Sequence, residues 1–215
     1  MSSRDVILGR VRRALGGPVG APESYGTDVD RGYLREHGSR TTGQTVELLA
    51  ENLADYRAIV HRCTAGELAD TVAGLLAAHG SRSVVTPPGL PADWLSATDA
   101  TRVADEAATT PAELDGVDSV VTACAVAVAE TGTIVLDGSP DQGRRRITLV
   151  PDHHVCVVRV PDQVVSSVPQ ALGRLDPARP LTWISGPSAT SDIELDRVEG
   201  VHGPRTLEVV LVSGE

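Results

Sequence analysis

The chain has 215 residues and a formal net charge of −10 at pH 7, and all 19 of its basic residues are arginine. The absence of lysine excludes mechanisms that need an ε-amino group, such as a Schiff base or a nucleotide-binding phosphate loop, so any bound anion would be held by Arg, His or backbone N–H groups. The acidic balance and the 2% aromatic content argue against a nucleic-acid-binding protein.

The first 43 residues are predicted to form a detached helix followed by a flexible arm. Ile7, Val11 and Leu15 recur at helical spacing, and the Gly-Gly-Pro sequence at 16–18 ends the pattern. From there to about residue 43 the sequence is rich in Gly, Pro, Ser, Thr and charge without periodicity, which is typical of a linker. The compact domain is therefore expected to span residues 44–215.

From residue 44 onward, helical patterns alternate with short apolar runs. Helices are predicted at 46–54 and from Leu68 to an end at Gly80, and strands at 58–60, 83–86, 119–122, 133–136, 155–160, 181–185 and 207–212. The runs are apolar at consecutive positions, as strands buried on both faces require. We therefore predict an α/β fold with a mainly parallel sheet flanked by helices.

Two segments fit this alternation less well. Residues 162–175 have apolar side chains at helical spacing, but Pro169 lies among them, so a kinked or two-part helix is expected. Residues 99–118 contain six acidic residues and one basic residue, and we expect a solvated connection around a short helix.

The cysteine pattern limits the cofactors that the chain could bind. Cys63, Cys124 and Cys156 lie far apart in apolar runs and are expected to be buried thiols in a reducing compartment. Because there is no Cys-x-x-Cys pair, we expect neither an iron–sulfur cluster nor a metal on this chain. No apolar run reaches the ~20 residues of a membrane span, and the N-terminal apolar stretch is too short for a signal peptide, so a cytoplasmic location is expected.

Polar residues near strand ends are candidate site residues, because ligands of open α/β sheets bind beyond the carboxyl ends of the strands. Glu130, Thr131 and Gly132 combine a carboxylate with a flexible turn whose N–H groups could face an anionic or hydroxylated ligand. The same residues could equally form a plain turn between two strands.

The strongest positive cluster of the chain is Arg144, Arg145 and Arg146. Guanidinium groups bind carboxylates and phosphates through paired hydrogen bonds, so this cluster is a candidate anion clamp. The alternative is a solvated triplet, with one or two of its members paired with surface acids.

Two further segments could contribute to a site. His153 and His154 precede a predicted strand, and because adjacent residues of an extended chain point to opposite sides, they are poorly placed to chelate one metal, although one could act as an acid or base. The loops at 185–192 and 200–205 offer glycines and hydroxyls, which suit either ligand contact or helix capping and turns.

The order of these segments and their amino-acid sequences resemble those of one family. AETGTIVL, QGRRRITLVPDHHVCVV, SGPSATSDIE and GVHGPR resemble the lactate-utilization protein C (LutC) family, or LUD domain, over about residues 44–213. The resemblance implies a fold like that of the ribose-phosphate isomerase and CoA-transferase group (NagB/RpiA/CoA transferase). It also implies a subunit of a three-protein cytoplasmic system that oxidises L-lactate to pyruvate, with the iron–sulfur clusters on the other two proteins as partners.

The resemblance also marks candidate positions. Glu130, His153 and His154 are candidate catalytic residues, and the candidate ligand-binding residues are Thr131, Gly132, Arg144, Arg145, Ser185, Gly186, Ser188, Asp192, His202 and Arg205. We expect an anion pocket between the Thr131–Gly132 turn, Arg144 or Arg145, and residues 185–188, with its charge drawn from Arg144, Arg145, Arg146 and Arg205. Two alternatives stay open: a stand-alone enzyme acting on a small carboxylate, phosphate or thioester, and a non-catalytic scaffold for iron–sulfur partners.

Overall fold

The computed structural model describes residues 3–14, 34–106, 108–190, 198–199 and 203–214. The chain divides into two compact units, Met1–Leu34 and Arg35–Glu215. The described part of the first unit is one helix, α1 (Ser3–Ala14), in which no residue is buried. In the described residues no helix has the length and apolar character needed to cross a membrane.

The second unit alternates strands and helices. In chain order these are α2 (Thr42–Asp55), β1 (Ile59–Thr64), α3 (Leu68–His79), β2 (Ser83–Thr86), β3 (Thr101–Ala104), α4 (Pro111–Asp115), β4 (Ser119–Thr122), β5 (Val126–Val128), β6 (Thr133–Leu136), β7 (His153–Val160), β8 (Val164–Val165), α5 (Val168–Leu172), β9 (Thr182–Ile184), β10 (Ala189–Thr190), β11 (Val198–Glu199) and β12 (Thr206–Ser213).

The main sheet has six parallel strands in the order β1-β12-β7-β4-β2-β3. Helix α3 covers one face, where Leu76 packs in the same buried cluster as Val155 and Val210. On the other face, Leu49 and Leu53 of α2 share a cluster with residues of β7 and β12. Coverage of both faces explains the continuous apolar runs and confirms the predicted α/β fold.

A second sheet, in the order β8-β5-β6-β9, packs on the α2 side of the main sheet. Strand β6 is antiparallel to both β5 and β9. The runs at 133–136 and 181–185 therefore belong to this mixed sheet rather than to the parallel one. Short apolar runs do not reveal strand direction, because both kinds of buried sheet favour the same residues.

Three predicted segments differ in the structure. Residues 162–175 form the short strand β8 and the five-residue helix α5, whose first turn contains Pro169. Because the first turn of a helix needs no donor from its proline, Pro169 starts this helix instead of kinking a longer one. Residues 99–118 contain an edge strand, β3, as well as the short helix α4. Strand β7 begins at His153, two residues earlier than predicted.

Candidate functional site

The largest cavity described here opens at the amino ends of the parallel strands, opposite to the carboxyl ends that the sequence favoured. This His79 cavity has a volume of about 810 Å³. Its polar lining residues lie just before β2, β4, β7 and β12 or in nearby loops, and they are His79, Asp115, Asp118, Arg145, Asp152 and Arg205. His79 reaches this edge because it is the last residue of α3, which Gly80 ends in the left-handed conformation with φ of 76°.

A chain of polar side chains, buried at Ser119, His153 and Glu208, runs through the main sheet behind this cavity. Nδ1 of His153 lies 2.7 Å from Oγ of Ser119, and its Nε2 lies 3.1 Å from Oε1 of Glu208. Oε2 of Glu208 lies 2.6 Å from Nε2 of His61. At the other end, Oγ of Ser119 lies 2.5 Å from Oγ of Ser81. Five residues from separate segments are thereby joined across four neighbouring strands.

Strand register explains this juxtaposition. Ser119 and Thr206 are the partners of His153 on its two sides, and Glu208 follows Thr206 by two residues on the same face of β12. Burial opposes the ionisation of Glu208, but its hydrogen bonds with His153 and His61 outweigh this effect and lower the pKa of the carboxyl. The sequence contains one sign of this hydrogen-bonded chain: Glu208 is an acidic residue inside the apolar run at 207–212, and a buried acid needs a polar partner.

His79 connects the buried chain to the cavity. Its ring stacks on that of His153, with ring centroids 4.0 Å apart and planes inclined by 20°. Loss of solvation and the neighbouring His153 lower the pKa of His79, while Asp152, Glu208 and Asp118 oppose the shift. An exposed imidazole with a lowered pKa is predominantly neutral near pH 7 and can accept a proton.

His154 points to the opposite face of β7, as expected for a neighbour of His153 in an extended strand. Its Nε2 lies 2.8 Å from Oγ1 of Thr122, and the side chain is 1% exposed. Burial, assisted by His153, lowers the pKa of His154 to about 3. The ring is therefore neutral at physiological pH.

A second cavity brings together several of the predicted ligand-binding residues. This Ser185 cavity has a volume of about 250 Å³, and its lining includes Arg145, His154, Ser185, Gly186 and Ser188. The Arg145 side chain is exposed and has no charged partner among the residues that the structure describes. The cavity therefore offers one uncompensated guanidinium beside hydroxyl groups.

Hydroxyl groups link the Ser185 cavity to the predicted turn. Oγ1 of Thr131 donates to Oγ1 of Thr133 over 2.8 Å, and Oγ1 of Thr133 lies 2.8 Å from Oγ of Ser185. At Gly132, an added Cβ would lie 2.7 Å from the backbone of Asn52, and φ is 55°, so close packing on α2 requires glycine there. The N–H groups of Glu130 and Gly132 bond to the carbonyl groups of Ser166 and Ala129 and are not available to a ligand.

Two predicted anion-binding arginines are instead held in ion pairs. Nε of Arg144 donates to Oδ1 of Asp105 over 2.7 Å, and Nη2 of Arg144 contacts the same carboxylate. The side chain of Asp105 is 2% exposed. Arg205 contacts both carboxylate oxygens of Asp152, each over 2.7 Å. Neither Arg144 nor Arg205 lines the Ser185 cavity. Among the described residues, Arg145 is the charged residue in the lining of that cavity.

The Glu130 side chain contacts residues before α2 and does not contact His153 or His154. Its Oε2 lies 2.9 Å from Nδ1 of His37, and its Oε1 accepts a hydrogen bond of 3.2 Å from Nη1 of Arg40. Burial opposes ionisation, but the contacts with His37 and Arg40 outweigh it and lower the pKa of Glu130. The structure thus does not unite Glu130 with His153 or His154 in one centre. No sequence periodicity indicated that His37 and Arg40 would contact this turn.

Two predicted residues have no described position, and the described part of the chain has no candidate metal site. Asp192 and His202 lie outside the described residues. Within the described ranges no group of three or more His, Cys, Asp or Glu side chains could hold a metal ion.

Comparisons with known proteins agree on one family. The family model of the LUD domain matches residues 46–212. A protein called lactate utilization protein C from Deinococcus radiodurans is 49% identical over 168 residues, which cover 76% of this chain and 77% of that protein. A protein of the same name from Exiguobacterium sp. is 27% identical over 230 residues and covers 99% of this chain and 96% of its own length.

A solved structure is also similar. The crystal structure of a DUF162 family protein from Deinococcus radiodurans at 1.70 Å resolution matches with a TM-score of 0.68 and 40% sequence identity. The match covers 81% of this chain and 99% of that chain.

Proposed function

Because this chain belongs to the LUD domain family, we propose that it acts in lactate utilization as a cytoplasmic subunit that binds a small carboxylate and has no redox centre of its own. Its partners would be two iron–sulfur proteins that carry the electrons from L-lactate. The role in lactate utilization is supported by the names of its relatives, which cover most of the chain. The absence of a Cys-x-x-Cys pair agrees with electron transfer by partners.

The observation that carries carboxylate binding is the uncompensated Arg145 in the Ser185 cavity. A guanidinium can bind both oxygens of a carboxylate, and Ser185 and Ser188 lie in the same lining. The neutral ring of His154 adds no second positive charge, so the cavity suits a monoanion such as L-lactate or pyruvate. Its volume of about 250 Å³ is appropriate for a ligand of this size.

Calorimetric titration of the purified full chain with L-lactate and with pyruvate tests this site. Arg145→Gln is expected to weaken binding roughly tenfold or more, because it removes the charged donor. Arg62→Gln is the matched control, since Arg62 pairs with Glu47 on α2 and lines none of the cavities described here. Equal binding by the wild type and Arg145→Gln would exclude the Ser185 cavity as the carboxylate site.

A genetic experiment tests the pathway role. Deletion of the gene is expected to abolish growth on L-lactate as the sole carbon source, and the wild-type gene but not Arg145→Gln is expected to restore it. Normal growth of the deletion strain, in a host without another lactate-oxidising route, would contradict the role in lactate utilization.

The His79–His153 stack favours a second candidate function, acid–base catalysis in the His79 cavity. A neutral imidazole at the cavity could take a proton from a hydroxylated substrate, and the buried carboxylate of Glu208 would stabilise the resulting positive charge. Turnover assays of the purified chain with hydroxy acids, sugar phosphates and thioesters test this candidate. Turnover that His79→Gln abolishes would support it, whereas no turnover in any of these assays would exclude it.

A further inference from the structure

A third cavity has the opposite charge balance to the rest of this acidic chain. This Arg174 cavity lies between residues 35–46, β8 and α5 and has a volume of about 550 Å³. Arg35, Arg40 and Arg174 contribute to its lining, and Glu36 is the single acidic residue there. Three guanidinium groups against one carboxylate stand out in a chain with a net charge of −10.

The three arginines retain free donors. In the part of the chain that the structure describes, the guanidinium of Arg35 has no partner. Arg40 uses only Nη1, which donates to the carbonyl of His37 and to Glu130. Arg174 uses only Nη1, which donates over 2.6 Å to the carbonyl of Asp162, a neutral acceptor. The carboxylates of Glu36 and Glu130 compensate two of the three charges, so the described residues leave the cavity with one net positive charge and with free guanidinium N–H donors.

The remaining lining supplies hydroxyl donors and an apolar floor. Thr42 and Ser166 line the cavity, and Thr42 is the first residue of α2, whose first turn carries no acidic side chain. The amino end of this helix adds positive potential to that of the arginines. Val164 and Val165, which are 9% and 4% exposed, form part of the floor. The cavity thus combines a cationic rim with a small apolar surface.

We infer that the Arg174 cavity binds the phosphate group of a small phosphorylated organic molecule. Three guanidinium groups and two hydroxyls offer enough donors for the three terminal oxygens of a phosphate monoester, whereas a carboxylate with two oxygens would leave more of these donors unused. The volume exceeds that of a bare phosphate and lies within the range of small-molecule pockets, about 300–1,000 Å³. The organic body of the ligand would lie along the valine floor. This site is separate from the Ser185 cavity and from the carboxylate proposed there.

Calorimetric titration of the full chain at low ionic strength tests the inference with three compounds: phenyl phosphate, inorganic phosphate and benzoate. Phenyl phosphate is expected to bind more tightly than inorganic phosphate, which lacks the apolar body, and more tightly than benzoate, which has one acceptor oxygen fewer. Arg35→Gln and Arg174→Gln are each expected to weaken phenyl phosphate binding by roughly tenfold. Both side chains are exposed, so the melting temperatures of these variants should match that of the wild type.

Two control variants separate this site from the others. Arg62→Gln and Arg145→Gln are expected to leave phenyl phosphate binding unchanged. Loss of phenyl phosphate binding in Arg145→Gln, benzoate binding that is equally tight and is weakened by Arg174→Gln, or no saturable binding of phenyl phosphate at millimolar concentrations would each overturn the inference. If the wild-type chain bound phenyl phosphate but not L-lactate, the result would count only against the carboxylate site in the Ser185 cavity.

Discussion

At the scale of single residues, Gly186 combines a left-handed backbone with a close approach to another chain segment. Its φ is 78°, and an added Cβ would overlap the carbonyl oxygen of Tyr56 at the end of α2. We expect Gly186→Ala to lower the free energy of unfolding by more than the about 1–2 kcal/mol of a left-handed non-glycine residue. Chemical denaturation measures this change.

Gly138 provides the matched control for this prediction. Its φ is 69°, but an added Cβ would meet its nearest atoms at 3.8 and 4.0 Å, which is ordinary contact. Gly138→Ala should therefore have only the backbone cost, and the difference between the two variants measures the collision with Tyr56. Equal losses of stability would show that loop 185–188 shifts to accommodate the methyl group.

His154 gives the stability of the fold a defined pH dependence. Its pKa is lowered from 6.5 to about 3 in the folded chain, so the unfolded chain binds one more proton between these values. The stability due to the neutral ring is complete above pH 6.5 and is lost as the pH falls towards 3, by at most about 1.4 kcal/mol per pH unit. His154→Gln should show a smaller loss between pH 7 and 5 in urea denaturation. The same pH dependence in both proteins would contradict this assignment.

At the scale of secondary-structure elements, α2 positions both the Glu130 turn and the end of loop 185–188. A capping box starts this helix: the N–H of Gln44 donates to Oγ1 of Thr41 over 3.2 Å, and Oε1 of Gln44 accepts from the N–H of Thr41 over 2.9 Å. Thr41→Ala should cost about 1 kcal/mol of unfolding free energy, whereas Thr41→Ser keeps the hydroxyl and should cost less. Comparison of the two variants by thermal or urea denaturation tests the cap, and equal losses would count against it.

Elements were predictable from the sequence where local pattern determines them. The apolar faces of α2 and α3 and the buried runs of β4, β7 and β12 carry their own periodicity, and the fold class follows from their alternation. The prediction started α2 at Val46 and did not use the Thr41–Gln44 capping box, although its Thr-x-x-Gln spacing is a known helix-start pattern. Strand β3 was missed because it is a largely exposed edge strand, and β5, β8, β10 and β11 were missed because they have only two or three residues each.

The candidate site was less predictable because it depends on long-range pairing. Ser119, His153 and Glu208 are dispersed along the chain and meet only through the register of β4, β7 and β12. Arg144 and Arg145 were both predicted as anion contacts, and the structural difference between them depends on Asp105, a residue of a loop with no periodic signal. Local sequence therefore indicated residue types, while strand order decided which of them meet.

At the scale of the whole molecule, the compact unit of residues 35–215 includes a segment that composition assigned to a flexible arm. Oγ of Ser167 donates to the carbonyl of Arg35, and Glu36 contacts Nε2 of Gln170. His37 and Arg40 hold Glu130. Residues 35–43 thus connect the start of α2 to β6 and α5 through several independent contacts.

Two truncated chains distinguish the boundaries at residues 35 and 44. A chain beginning at Arg35 keeps the contacts that residues 35–43 make with the described residues of the compact unit, and it should unfold with the same midpoint as the full chain. A chain beginning at Gln44 loses the cap of α2, worth about 1 kcal/mol, and leaves the partly buried carboxylate of Glu130 without its two partners. Its stability should therefore fall by more than that of Thr41→Ala. Removal of the unpaired charge by Glu130→Gln should restore part of the loss in the shorter chain only, and equal midpoints for both truncated chains would place the boundary at residue 44.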